Sequence, residues 1–504
     1  MSKKAVEGSL ELEITDFGPI ARAKVDLRPL TVFVGPSNTG KSYLAILIYA
    51  LHRFFGQEND YFYRRLRNAI DPEDPKMKDL SDQSFRNFQE IVDSIEDVSP
   101  GDIGNVTLTP ASAEALRSFL DKNAEALASE IGRCFGLGET RALTRKGRPH
   151  ARIAMRRRMS NDSEFGEHTL TLGRKTEFKT AIPSGIPIPF DYETNTFPRR
   201  YFLEQYKGTG RRKVTSRQRR ILERDIMSIV SSLLMPSAVG ILQLPAFYLP
   251  ADRTGVMHAH NVVVSALIAS APSAGFRPAA RTPMLSGVLA DFLEQLVGIG
   301  LPEPWQRKTQ SDLGKRIEES VLKGSIRIDR AATTDYPSFA YRPIGWNDDL
   351  ALANASSMVS ELAPVVLYLR HLVKTGHILI VEEPESHLHP AMQVEFTRQL
   401  AALVDRGIHL IVTTHSEWLL EELANIVRRS ELNKHKRSDF VSDVALRPEQ
   451  VGVWLFEPKS RPKGSIVKEI RLDSTGTYPT DYDEVAEALH NDWAEITSQI
   501  GNGS

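Results

Sequence analysis

The 504-residue chain has few cysteines, little net charge and no long apolar run, and each of these absences excludes a class of protein. A single cysteine, Cys134, excludes a disulfide framework and a cysteine-based zinc site, and it fits a reducing compartment. The formal net charge of −1 provides no overall attraction to nucleic acid. No apolar run approaches the roughly 20 residues of a membrane span, and the opening MSKKAVEGSLELEI lacks the apolar part of a signal peptide. We therefore expect a cytoplasmic protein that has no membrane partner.

A glycine-rich loop is the first feature with a chemical meaning. Residues 35–42 read GPSNTGKS and match the pattern G-x-x-x-x-G-K-[ST]. The apolar run LTVFV before the loop is typical of a strand buried on both faces, and YLAILIYALHRFF after it is typical of an apolar helix. In that context backbone N–H groups can surround phosphates at the start of a helix. A turn that matches by chance is the alternative, and the flanking patterns argue against it.

The loop predicts which residues bind a nucleotide. Lys41 would reach the β- and γ-phosphates of ATP, and the Ser42 hydroxyl would ligate Mg²⁺. The predicted cofactors are therefore ATP and Mg²⁺. The predicted nucleotide-binding residues are Gly35, Pro36, Ser37, Asn38, Thr39, Gly40, Lys41, Ser42 and Tyr43.

Two adjacent carboxylates end a second apolar strand pattern, ILIVEEPESHLHP, which begins at Ile378. In a sheet that contains a phosphate loop, the carboxyl end of a second strand lies beside that loop. We assign Glu382 to Mg²⁺ and Glu383 to the general base that polarises the attacking water. His415 ends the pattern LIVTTH and would hydrogen-bond the γ-phosphate and hold the water. A solvated acidic turn and a structural histidine are the alternatives.

These segments together resemble the motifs of ABC-type ATPases of the RecF/SMC/OLD group. The opening LELEITDFGPIARAKVDLRPLTVFVGPSNTGKS resembles the N-terminal part of that group, IVEEPESHLHP its Walker B motif and D-loop, and TTHS its switch histidine. YLPADRTG, at 248–255, resembles a segment of the stand-alone prokaryotic members. The resemblance covers roughly residues 8–55, 240–265 and 340–430.

The resemblance implies an α/β fold, a P-loop NTPase head of the ABC type with a mixed sheet and a helical and basic insertion. We assign residues 1–65 to the N-terminal part of the head and residues 66–235 to the insertion, helical first and then basic with some strand. Residues 236–430 would hold the signature, Walker B, D-loop and switch histidine, and residues 431–504 would complete the head. Within the third part, VGILQLPAFYL predicts a buried strand.

The resemblance also implies a composite ATP site, in which a serine at a helix start of a second subunit contacts the γ-phosphate. Ser356 and Ser357 in NASSMVSELAP are the candidates, and an ordinary helix cap is the alternative for either. The glutamine loop would lie near Asp252 and Arg253, with Gln243 as a weaker option. The protein would then work as a homodimer or a higher oligomer.

Two short motifs suggest other chemistry. His387 and His389 in HLHP could form a metal pair, but we prefer the D-loop interpretation. Asp481 and Asp483 in DYD are similar to the DxD of Toprim nucleases, yet the context GTYPTDYDEV is not an apolar strand. Only about ninety residues follow His415, too few for a Toprim domain. We therefore expect no nuclease in this chain.

A basic region offers a contact surface for nucleic acid. Residues 141–224 hold 21 Lys and Arg against 8 Asp and Glu, a surplus of 13. Such a surplus can bind DNA phosphates, although a solvated loop or a contact with an acidic protein partner is the alternative. The candidate residues for DNA contact are Arg156, Arg157, Arg158, Arg211 and Arg212.

The motifs favour an ATP-driven switch over other roles. Stand-alone members of the group resemble the ATPase subunits of bacterial anti-phage systems such as Septu and PARIS, which pair with a separate effector nuclease. The resemblance implies a Mg²⁺-dependent switch or scaffold that controls such an effector. A DNA repair ATPase of the RecF/SMC type that clamps DNA is the alternative. A transporter ATPase, or a structural protein that nucleotide only stabilises, fits the motifs less well.

Overall fold

The computed structural model describes most of the predicted head and part of the predicted insertion. The described residues are 10–56, 103–107, 123–158, 164–181, 187–191, 240–259, 285–300, 312–329, 337–431, 446–461 and 463–472, together with three isolated positions. They belong to two compact units. The first comprises Met1–Leu27, Tyr43–Ala246 and Met284–Val288, and the second comprises Arg28–Ser42, Phe247–Pro283 and Leu289–Ser504. The four-part division predicted from the motifs stays a prediction.

Strands account for much of the described chain. In chain order they are β1 Leu10–Phe17, β2 Ile20–Leu27, β3 Leu30–Val34, β4 Ile103–Thr107, β5 Ala151–Arg158, β6 Glu164–Leu172, β7 Glu177–Ala181, β8 Pro187–Asp191, β9 Ala246–Leu249, β10 Gly324–Asp329, β11 Ser338–Pro343, β12 Leu350–Ala351, β13 Ile378–Glu382, β14 His409–Thr414, β15 Val451–Ser460 and β16 Lys463–Ile470. The prediction of one strand over VGILQLPAFYL is wrong at its start. Gly240–Gln243 forms a short 3₁₀ turn, and the strand begins only after Pro245, which has no backbone N–H to pair.

Helices alternate with the strands and confirm the predicted α/β class. They are α1 Lys41–Phe55, α2 Ala124–Phe135, α3 Gly287–Gly300, α4 Ser357–His371, α5 Pro390–Asp405 and α6 Glu417–Glu431. Shorter helical segments lie at Thr140–Leu143, Lys315–Ile317, Glu318–Leu322, Leu352–Asn354 and Pro448–Gln450. Among the described residues, none of the helices combines the length and the apolar character that a bilayer span requires.

The first unit contains antiparallel strands in the order β7-β6-β5-β1-β2. The alternation in β1 would leave one of its faces wet, but Glu11 on that face is buried. Arg156 of β5 covers it: its Nη1 lies 3.4 Å from Glu11 Oε1 and 2.7 Å from Glu13 Oε2, and its Nη2 lies 3.4 Å from Glu167 Oε1. Lys24 of β2 adds a contact of 3.2 Å to Glu11 Oε2. Charge pairs across neighbouring strands therefore cover the polar face of β1.

The second unit contains the mixed sheet that the motifs predict. Its strands lie in the order β16-β15-β3-β14-β13-β9. The pairs β15–β3, β3–β14 and β14–β13 are parallel, whereas β16 is antiparallel to β15. β3 and β13 are buried along their whole length, as their continuous apolar sequences indicate. A smaller antiparallel sheet has the order β10-β11-β12.

One apolar core joins the parallel strands of the second unit to α4, α5 and α6. Val32, Leu379 and Leu410 come from β3, β13 and β14, and Val366 and Leu400 come from α4 and α5, all of them nearly inaccessible to solvent. Burial of each such side chain stabilises the fold by roughly 1.5–3 kcal/mol.

We predict that Arg156→Met destabilises the protein by about 1–3 kcal/mol near neutral pH, because three carboxylates lose a charged hydrogen-bond partner. The hydrogen bond from Arg156 lowers the pKa of Glu13. That stabilisation is present above the ordinary carboxyl pKa and is lost as pH falls through the lowered value. The effect should therefore shrink from about pH 7 to about pH 3. Thermal melting at both pH values measures it.

Arg152→Met is the matched control on the same strand. Arg152 is about half exposed and contacts only one of these carboxylates, Glu167, at 3.3 Å, so its loss should cost about 0.5 kcal/mol or less. Equal melting temperatures for the two variants at neutral pH would contradict the role given to Arg156.

Candidate nucleotide-binding site

The loop after β3 has the backbone of an anion-binding turn. Gly35, Asn38 and Gly40 all have positive φ, of 137°, 63° and 105°. Glycine enters this region without steric cost, and asparagine is among the residues that tolerate its left-handed part. A Cβ atom on Gly35 would lie 2.6 Å from the carbonyl oxygen of Phe456, so only glycine fits there. The loop then continues directly into α1, which begins at Lys41.

Lys41 lies inside this loop. Its Nζ donates to the carbonyl oxygens of Gly35 and Pro36 at 2.8 and 2.9 Å, and the Thr39 hydroxyl donates to the same Pro36 oxygen at 2.7 Å. Burial lowers the pKa of Lys41 to about 8, against the opposing effect of nearby carboxylates such as Glu383. A bound anion would favour the charged ammonium, so the loop is suited to hold phosphate.

Glu382 ends β13 opposite Thr413 of β14 and is 6% exposed. Its Oε2 accepts a hydrogen bond from the Ala251 N–H at 3.3 Å. Burial raises the pKa of Glu382, whereas the Ser42 and Tyr248 hydroxyls and the Ala251 N–H favour its charged form. Its Oε1 is buried, and within the described part of the chain no hydrogen bond reaches it.

These groups fit the predicted Mg²⁺ site. Mg²⁺ prefers oxygen ligands, keeps several waters and is commonly bound by one or two carboxylates together with phosphates. The buried Oε1 of Glu382 and the nearby Ser42 hydroxyl are oxygen donors of this kind. Both could hold the ion beside the phosphate loop.

Glu383 and His415 form a pair at the same sheet edge. Glu383 Oε1 lies 3.6 Å from His415 Nε2, and both side chains are about one-third exposed. The Glu383 N–H donates to the Thr413 carbonyl at 2.9 Å, and Glu383 has a left-handed φ of 42°, which is rare for a residue with a side chain. Burial and the charge of Lys41 lower the pKa of His415, so it is neutral near pH 7. A carboxylate and a neutral imidazole that solvent can reach are suited to activate water.

Glu385 is a site residue that the sequence reasoning missed. It accepts hydrogen bonds from the His415 N–H at 2.6 Å and from the Thr414 hydroxyl at 2.7 Å. Burial raises the pKa of Glu385. The carboxylate therefore fixes the end of β14, from which His415 projects. The only signal in the sequence was a third acidic residue in EEPE, and acidic residues in turns are usually solvated.

The three candidates for the glutamine loop differ in their burial and contacts. Arg253 is completely buried, and its guanidinium donates to the carbonyl oxygens of Glu382 and Glu383 at 2.5 and 3.2 Å. It therefore lies behind the carboxylates and is directed at their backbone. Asp252 is exposed and Gln243 is buried. Which residue serves as the glutamine loop stays a prediction.

The serines and histidines of the other motifs lie at helix starts. Ser356 is the N-cap of α4, and its hydroxyl accepts from the Val359 N–H at 3.4 Å. Ser357 is the first residue of that helix, and both serines are exposed. His389 caps α5, and the exposed His387 has a left-handed φ of 62°. In the ranges that the structure describes, no group of three or more histidine, cysteine or acidic side chains is placed to hold a metal.

The basic candidates are only partly described. Arg156 is engaged with three glutamates of its own unit, and burial of the half-buried Arg157 lowers its pKa. The side chain of Arg158 and all of Arg211 and Arg212 lie outside the described residues, as do Asp481 and Asp483. Contact with DNA therefore stays a prediction for this region.

Comparison with protein families identifies part of the chain. Residues 288–420 match the model of a family described as the AAA ATPase domain. This range contains Glu382, Glu383 and His415, and the phosphate loop precedes it. This part of the chain is therefore similar to an ATPase domain of the AAA type. No curated protein is similar enough in sequence to count as a relative.

Comparison with solved structures finds head domains of SMC proteins that share 11% sequence identity with this chain. The SMC head domain from Thermotoga maritima has a TM-score of 0.36, over 93% of this chain and 100% of that chain. An SMC head bound to the C-winged helix domain of ScpA has a TM-score of 0.40, over 93% and 99%. A third structure is an Smc head domain with an extended coiled coil, bound to the C-terminal domain of ScpA derived from Pyrococcus furiosus. Its TM-score is 0.36, over 96% of this chain and 99% of that chain.

We predict that Gly35→Ala strongly weakens ATP binding. The new methyl group would meet the Phe456 carbonyl oxygen at 2.6 Å, and alanine would also be strained at φ 137°. Either the loop or β15 must then move. We expect a loss of stability of more than about 1 kcal/mol together with the loss of affinity. Binding of a fluorescent ATP analogue and thermal melting measure the two effects.

Gly345→Ala is the matched control. Gly345 also has a positive φ, of 83°, but among the described residues, apart from its chain neighbours, no atom lies within 4 Å of its Cβ position. This variant should lose some stability through backbone strain and keep its affinity for ATP. If both variants bind ATP as the wild type does, the close packing of the loop is not needed for nucleotide binding.

Proposed function

We propose that the chain, of which residues 288–420 match a family described as the AAA ATPase domain, is a Mg²⁺-dependent ATP-hydrolysing switch. One observation carries this proposal: β14 lies between β3 and β13 and is parallel to both. The phosphate loop, the carboxylate pair and His415 therefore leave the sheet at one edge. This arrangement supports both ATP binding and attack on the γ-phosphate by water.

Each residue has a defined part in the proposed reaction. The loop N–H groups and Lys41 would bind the phosphates, and Ser42 and Glu382 would hold Mg²⁺, which would neutralise charge on the phosphates. Glu383 accepts a proton from the attacking water, and neutral His415 orients the γ-phosphate and the water through its ring nitrogens. The water oxygen bonds to the γ-phosphorus, and the bond from that phosphorus to the bridging oxygen breaks. The products are ADP and phosphate.

Two copies would complete the site. Ser356 and Ser357 lie exposed at the start of α4, where free helix N–H groups favour an anion. We propose that one of these serines contacts the γ-phosphate bound to a second copy. ATP would then join two copies, and hydrolysis would release them.

The proposed biological role is control of a separate effector, a nuclease, in a bacterial anti-phage system. The resemblance of the motifs to stand-alone ATPases of such systems supports this role. The alternative is a DNA repair or maintenance ATPase that clamps DNA. The surplus of 13 basic residues in 141–224 favours that alternative, whereas the pairing of Arg156 with glutamates counts against it.

We predict that Glu383→Gln abolishes ATP turnover and traps ATP in a dimer or a larger assembly. Glutamine keeps the size of the side chain and cannot take the proton from water. ATP turnover and the mass of the assembly with ATP and Mg²⁺ measure the two effects. Glu319→Gln is the control, because Glu319 is exposed and pairs only weakly with Lys315 at 3.8 Å.

The same variant identifies the serine that acts across the interface. Ser356→Ala and Ser357→Ala are each combined with Glu383→Gln. The double variant that lacks the serine in contact with the partner's nucleotide should no longer form the trapped assembly. If Glu383→Gln and the wild type hydrolyse ATP alike as monomers, Glu383 is not the base and the proposed switch is wrong.

The two biological roles predict different results with DNA and with the product of the neighbouring gene. A clamp should bind DNA with an affinity that falls linearly with salt on logarithmic axes, and Arg211→Gln with Arg212→Gln should weaken it. A switch should change the nuclease activity of the partner in the presence of ATP, and Glu383→Gln should block that change. DNA binding without any effect on the partner would overturn the anti-phage role.

A further inference from the structure

Arg253 connects two segments of the second unit and is completely buried. On one side, its Nη1 donates to the Glu382 carbonyl at 2.5 Å and its Nη2 to the Glu383 carbonyl at 3.2 Å. On the other side, its Nε donates to the Glu361 carbonyl at 3.1 Å, and its Nη2 lies 2.5 Å from Glu361 Oε1. Nη1 also donates to the Pro250 carbonyl at 3.0 Å. Every nitrogen of the guanidinium therefore has an acceptor.

Burial of the charged Arg253 side chain is energetically unfavourable compared with an apolar side chain of similar size. Removing an ion pair from water costs free energy, and well-packed apolar side chains often stabilise a fold as well or better. What the guanidinium adds is direction, because its planar donors bind several acceptors in fixed positions. The position of Arg253 is therefore best explained by the groups that it orients.

The oriented groups are the two peptide planes beside Glu383. In the plane before it, Arg253 binds the Glu382 carbonyl and the Glu383 N–H donates to the Thr413 carbonyl. In the plane after it, Arg253 binds the Glu383 carbonyl, and Pro384 has no N–H. All hydrogen-bonding groups of both planes are thus held. This accounts for the persistence of the left-handed φ of 42° at Glu383.

The same arginine contacts the helix with the candidate signature serines. Glu361 lies in α4, whose first turn follows the N-cap Ser356. The Thr254 hydroxyl also donates to the Glu361 carboxylate. A displacement of α4 would therefore act on Arg253, and through it on the peptides of Glu382 and Glu383.

We infer that Arg253 is a positioning residue: it holds the peptide groups of Glu382 and Glu383 and links them to the helix that begins at Ser356 and Ser357. The inference rests on the proposed function, in which these carboxylates hold Mg²⁺ and take a proton from water. Arg253 itself does not touch substrate. Through this link, contact of a second copy with α4 would change the geometry of the carboxylates.

The test separates positioning from stability with a double variant. Arg253→Met leaves the Glu361 carboxylate buried without its partner and should lower the melting temperature. Arg253→Met with Glu361→Met removes both charges and should restore the melting temperature largely or fully. In this double variant we still expect kcat to be roughly a hundred-fold lower than in the wild type. We also expect the apparent dissociation constant for Mg²⁺ to rise about ten-fold. ATP binding in the absence of Mg²⁺ should be unchanged.

Two further variants keep the test decisive. Arg253→Lys keeps the charge and loses the planar guanidinium, so it should fold even where the double variant is insoluble. It should still bind Mg²⁺ more weakly than the wild type does. Arg342→Met is the control in the same unit, because Arg342 is about one-third exposed and, among the described residues, forms its ion pair with Asp349 at 2.7 Å. It should behave as the wild type does.

Each outcome decides one proposal. Wild-type kcat and Mg²⁺ dependence in the stable double variant, or in Arg253→Lys, would overturn the role of Arg253. If the wild type itself hydrolyses no ATP, the proposed function fails. Binding of nucleotide at different Mg²⁺ concentrations then decides the role of Arg253. A higher apparent dissociation constant for Mg²⁺ in the variants supports that role, and an unchanged constant overturns it.

Discussion

Parallel hydrogen bonding of β14 to β3 on one side and to β13 on the other is the constraint on which the site depends. The register sets Thr414 opposite Val34 and Thr413 opposite Glu382. Carboxyl ends of parallel strands lie at the same sheet edge, so the residues that follow them converge. A shift of one residue in either pairing would turn every side chain of that strand to the opposite face.

Burial gives the converged groups their chemical character. Lys41, Glu382 and Glu385 all lie in low-dielectric surroundings, where burial lowers the pKa of the lysine and raises the pKa of both carboxyl groups. Lys41 and Glu382 therefore gain from a bound partner of opposite charge, which phosphate and Mg²⁺ would supply, whereas Glu385 is held by the Thr414 hydroxyl and the His415 N–H. Glu383 and His415 remain partly exposed, as groups that must meet water have to be. Depth of burial thus separates the binding groups from those proposed to act on water.

Backbone interactions hold this arrangement in place. Glu385 binds the N–H of His415, and Arg253 binds the carbonyl oxygens beside Glu383. Arg253 is completely buried and Glu385 is half-buried, so both side chains bind their targets from within the fold. Their local sequences, EEPE and PADR, are typical of turns, and turns are usually solvated. For this reason the residues that support the site were harder to predict than the site itself.

The sequence by itself determined the phosphate loop, the buried strands and the mixed α/β class, because few local structures other than these are compatible with continuous apolar runs and this glycine pattern. It also determined the candidate carboxylates and histidine, since each either ends such a strand or directly follows one. Only the tertiary structure decided that Glu11 is covered, that Glu385 faces His415 and that Arg253 lies behind Glu383. These contacts join residues far apart in the chain, and no local pattern specifies which acceptor a buried charge will find once strands and helices have packed.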